Sequence, residues 1–99
     1  MSKIANEIKI AKKTAKQISS LVNGLEVALR YCSACAATGD FETFEVFFKQ
    51  RCRYTVQLAE LGIELPGLEY AEERLSATPE EFARQAKAAF KYEREELKK

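Results

Sequence analysis

An all-α fold, an antiparallel helical bundle of two long and two shorter helices, is predicted by three features of the 99-residue chain. Glycine and proline number only four and two, too few for the many tight turns of an all-β domain. Apolar residues recur over the first third of the chain at alternating steps of four and three, the spacing of one helix face. Thr78, Pro79, Glu80 and Glu81 combine an N-cap, a proline at the first helical position and a reciprocal capping glutamate, the signature of a helix start. With 46% hydrophobic and 31% charged residues in 11.2 kDa, residues 1–99 are expected to form one domain, without room for separate catalytic and regulatory units.

The first helix is predicted from about Lys3 to Ala37. Its seam is Ile4, Ile8, Ala11, Ala15, Ile18, Val22, Leu25, Leu29, Cys32 and Ala36, and every one of these positions is apolar. The pattern runs unbroken across Gly24, although a mid-helix glycine costs about 1 kcal/mol against alanine. Such a helix is about 52 Å long, whereas a compact chain of this size has a radius of gyration near 13 Å. It therefore either bends near Gly24 and wraps the bundle, or projects and buries its seam against a second copy.

Gly39 and Asp40 supply a left-handed backbone position and an N-cap, so the chain is predicted to reverse there. The second helix follows from about Phe41 to Leu61, with Phe44, Phe47, Phe48, Tyr54, Leu58 and Leu61 on its apolar side. Ile63 to Gly67, containing Pro66, reads as a loop. A short third helix places Leu68, Ala71 and Leu75 inward, and the last helix, starting at Pro79, places Phe82, Ala86, Ala89, Phe90 and Leu97 inward.

Sixteen basic against fifteen acidic residues leave a net charge of +1, so no overall field marks a polyanion binder. Histidine is absent, which removes the commonest general base and the commonest metal ligand together. No catalytic site and no cofactor are predicted. No long apolar run occurs, and Lys3, Asn6, Glu7 and Lys9 interrupt the N-terminal segment, so neither a membrane span nor a signal peptide is expected and a cytoplasmic protein is.

Cys32, Cys35 and Cys52 are read as free thiols. Cys32 and Cys35 form a C-x-x-C inside a helix rather than at the helix start that redox and metal sites use, so they are read as core-filling residues. Folding the hairpin about Gly39 pairs positions whose numbers sum to about 79. That register sets Glu26 opposite Arg53 and within one turn of Arg51. Arg51 lies on the apolar stripe of the second helix, where a charge needs a partner, so a structural ion pair of Glu26 with Arg51 or Arg53 is expected.

Lys9, Lys12, Lys13 and Lys16 share one face of the first helix, a possible contact face for an anionic partner such as nucleic acid or a membrane surface. A solvated face opposite the seam is the plainer reading, because arginine and aromatic residues are missing from it. Glutamates one turn apart look mostly solvated. Glu93 alone falls on the inward stripe of the last helix, where an arginine of another helix could meet it. A carboxylate metal site using Glu26 and Glu93 is the third alternative.

With both long helices placed, Asn23, Gly24, Glu26, Phe44, Arg51, Tyr54 and Leu58 resemble the first hairpin of the ferritin-like helical-bundle superfamily. They are similar in particular to a short, functionally uncharacterised bacterial group within it. The resemblance covers Gln17 to Leu58 and implies an antiparallel bundle. Metal-bearing members need Glu-x-x-His on two helices, and with no histidine here the iron chemistry is not carried over. The reading that follows is a non-catalytic helical module for protein interaction or regulation, self-associating as a homodimer or higher homo-oligomer.

Overall fold

The computed structural model describes residues 2–99 and contains four helices: α1 (Ser2–Thr38), α2 (Phe41–Glu60), α3 (Leu68–Ser76) and α4 (Pro79–Leu97). No strand occurs among the described residues. Helix ends fall within a residue or two of those predicted.

Helix α1 continues through Gly24 and does not fold back on the bundle. At 1.5 Å per residue its 37 residues span about 55 Å if straight, and the longest extent of the molecule is 57 Å. The radius of gyration, 16.5 Å, exceeds the 13 Å or so of a compact chain of this length because the first half of α1 projects past the other helices. Gly24 is tolerated for a local reason. A Cβ there would lie 2.6 Å from Cζ of Tyr54, so the missing side chain is the space the tyrosine ring occupies.

The reversal after α1 uses Gly39 at φ +79°, a left-handed conformation that glycine adopts without a Cβ penalty. The amide of Thr43 then donates to Asp40 Oδ1 at 3.2 Å, capping α2. The two helices run in opposite directions: Gly24 abuts Tyr54, and Tyr31 stacks on Phe47 with centroids 4.5 Å apart. Both pairs sum to 78, one less than the sequence register. At α4 the amide of Glu81 donates to Thr78 Oγ1, the N-cap half of the predicted capping box; no reciprocal bond to the Glu81 carboxylate is made among the described residues.

The core is aromatic. Phe44, Phe48 and Leu58 are wholly buried with Cys32, and burying each large apolar side chain stabilises the fold by about 1.5–3 kcal/mol. Phe90 meets Phe41 and Phe44 edge-on, while Phe48 contacts Phe82. These contacts fasten α4 to α2.

Two expected core assignments are corrected. Leu97 is exposed near the end of α4. The seam of α1 is buried at Cys32 and Ala36 but not along its whole length: Leu29 is 43% exposed while its neighbour Ala28 is buried. A strict heptad drifts about 20° per repeat around a straight helix, and the face of α1 that the bundle covers runs through Ala28, Cys32, Cys35 and Ala36, meeting the seam at Cys32 and Ala36 and passing beside it at Leu29.

Candidate functional site

The first candidate is the charged cluster inside the bundle. Arg51 Nη1 donates to Glu93 Oε1 at 3.0 Å, joining α2 to α4, with the two side chains 22% and 25% exposed. The guanidinium also lies 4.8 Å from the centroid of Phe48, and Arg74 of α3 approaches the same ring at 4.8 Å. The expected partner of Arg51 was Glu26. Instead, Glu26 and Arg53 are both exposed, and neither takes part in an ion pair among the described residues. The physical reason is the same rotation of α1: Glu26 sits beside, not on, the side facing α2, while α4 delivers Glu93 directly to the guanidinium. Glu93 is thereby engaged by Arg51, while Glu26 is exposed.

The three thiols lie in this core, free and buried. Burial pushes the Cys32 thiol up to about 11; Arg51 opposes this, and Glu93 and the other two thiols add to it. Cys52 is also raised by burial, against the nearby Arg74 and Arg51, and Cys35 by burial and then Asp40. A thiol held protonated is a poor nucleophile and a poor ligand. No group of three or more His, Cys, Asp or Glu able to hold a metal ion occurs among the described residues. Both cysteines of the C-x-x-C lie in the hydrophobic core.

One anchoring residue was not visible in the sequence. Arg94 Nη1 donates to the carbonyl of Ala36 at 2.6 Å and passes beside Gly39. Helix α1 has no basic residue in its last turn, so α4 supplies the cation that satisfies its carbonyl end. The available hint was that Arg94 follows Phe90 by four residues and so shares its face.

The second candidate is the projecting part of α1. Ile4 is 62% and Ile8 50% exposed, Ala11 and Ala15 are exposed, and Ile18, Val22 and Leu25 are half-buried. With Leu29 these residues form one apolar strip about 38 Å long, exposed over its N-terminal half and at Leu29 and half-covered between. Lys9, Lys12, Lys13 and Lys16 are all exposed beside it, so the structure does bring the predicted lysine face together, and none of the four is in an ion pair among the described residues. Val27 and Tyr31, one turn apart on α1, are also exposed.

No protein-family model, curated protein or solved structure matches this chain. Among the described residues, no helix is long and apolar enough to cross a membrane.

Proposed function

We propose that this protein is a non-catalytic helical interaction module whose docking surface is the apolar strip of α1, on a scaffold that keeps the ferritin-like hairpin pattern without metal chemistry. The observation that carries the reading is the exposure of Ile4 and Ile8 at 62% and 50% on a helix segment whose residues 3–13 are all exposed. A contiguous apolar surface of this kind marks an interaction site more often than an isolated exposed leucine does. The non-catalytic part of the reading is supported by a sequence without histidine and by the burial of all three thiols.

The test is lysine cross-linking in the native host, comparing the wild type with an Ile4→Lys, Ile8→Lys variant. Cross-links through Lys9, Lys12 and Lys16 should disappear in the variant, while its bundle unfolds at the wild-type temperature. Cross-links that persist unchanged contradict the reading.

A second reading is favoured by the clustered, exposed Lys9, Lys12, Lys13 and Lys16: recognition of an anionic partner, nucleic acid or a phospholipid surface. Its affinity would fall steeply with salt, and it is rejected if reversing those four charges leaves binding unchanged.

A further inference from the structure

We infer that the occupant of the α1 strip is the same strip of a second copy, in parallel orientation, with Glu7 of each chain paired to Lys12 of the other. This inference rests on the interaction reading above and specifies its partner. In heptad terms Ile8, Ala15, Val22 and Leu29 occupy a positions, and Ile4, Ala11, Ile18 and Leu25 occupy d positions. Two such strips in parallel register align eight successive apolar layers, of which Ile4, Ile8, Ala11, Ala15 and Leu29 are exposed in the single chain. The fold leaves these five open and Ile18, Val22 and Leu25 half-exposed, because the bundle covers α1 mainly from Ala28 to Ala36.

Charge selects the partner and the orientation. The flanking e positions are Ala5, Lys12, Ser19 and Glu26, and the g positions are Glu7, Thr14, Leu21 and Ala28. In a parallel pair each g residue meets the e residue five positions later on the other chain. Glu7 then meets Lys12, Thr14 meets Ser19, and Leu21 meets Glu26, with no like charges opposed. The pairing occurs twice by symmetry. An antiparallel pair opposes e to e and g to g; centred on the strip, it leaves Glu7 against Ala28 and Lys12 against Ser19, with no ion pair. Parallel packing also places the two lysine-rich flanks on opposite sides of the seam, whereas antiparallel packing gathers both on one side. Lys9, Lys13 and Lys16 fall at outer b and f positions and are left in water.

Sedimentation equilibrium on the full chain, with Glu7→Lys, Lys12→Glu, the double exchange Glu7→Lys/Lys12→Glu, and Ile8→Lys, tests this directly. The wild type should sediment as a dimer. Each single reversal should weaken dimerisation about tenfold by opposing like charges in both pairs. The double exchange should restore it to within about threefold, and Ile8→Lys should give a monomer with an intact bundle. Single reversals without effect, or a double exchange no better than the singles, overturn the parallel pairing. A wild type that stays monomeric at high concentration overturns self-association; if Ile4→Lys, Ile8→Lys nonetheless abolishes cross-links in the host, the strip serves a different protein and only this inference fails.

Discussion

Arg51 on α2 and Glu93 on α4 form the ion pair that ties the fourth helix to the first hairpin, 3.0 Å apart and about three-quarters shielded from water. Removing either partner leaves the other charge in a partly apolar site. Arg51→Ala and Glu93→Ala should each lower stability by about 1–3 kcal/mol. The double variant should lose less than the sum, with a coupling of about 1 kcal/mol in a denaturation cycle. Additive losses would show that the two groups act independently.

Gly24 should behave unlike an ordinary helical glycine. In a free helix Gly→Ala stabilises by about 1 kcal/mol, but here the new Cβ meets the Tyr54 ring at 2.6 Å. Gly24→Ala is therefore expected to destabilise the wild type and to stabilise a Tyr54→Ala background. The reversal of sign is the measurement. The same sign in both backgrounds would mean that the ring moves aside at no cost.

Arg94 holds the carbonyl end of α1 through Ala36. Arg94→Met keeps much of the packing and loses the charged hydrogen bond, so thermal unfolding should shift down by the equivalent of about 1.5–3 kcal/mol. Arg94→Lys should recover part of it, since lysine keeps the charge but not the planar fork.

The buried thiols give the pH dependence. The Cys32 thiol rises from an ordinary 9.0 to about 11 in the folded protein, so the folded state holds the proton more tightly than the unfolded one. Its contribution is complete below pH 9 and is lost as pH rises from 9 through 11. Stability of the wild type should fall across that window more steeply than that of Cys32→Ala. At pH 8 the native protein should react with a thiol reagent far more slowly than the denatured chain.

Much of the fold was legible because local signals agreed. The Gly39-Asp40 reversal and the Thr78 cap each had one stereochemical solution, and the hairpin register came within one residue; the heptad of α1 marked one long helix without deciding between a bend at Gly24 and a projection. The partner of Arg51 was not legible. A register argument within one hairpin could rank only Glu26, on α1, whereas the answer depended on where α4 crosses, which long-range aromatic packing of Phe90 and Phe82 decides. The inward position of Glu93 was readable from its spacing to Phe90; its pairing was not. Leu29 was misplaced because a 3.5-residue repeat was projected onto a helix of 3.6 residues per turn. For the candidate interaction surface, sequence periodicity identified the apolar residues but not which of them the chain itself covers.

The most direct measurement is amide hydrogen exchange along α1 as protein concentration is raised. Amides from Ile8 to Ala15 should exchange quickly in dilute solution and gain at least about tenfold protection when the strip is covered, and Ile8→Lys should abolish that gain without altering protection in α2. Exchange in this segment that is equally fast at every concentration, in wild type and variant alike, would contradict the assignment of the α1 strip as a surface that a second copy covers.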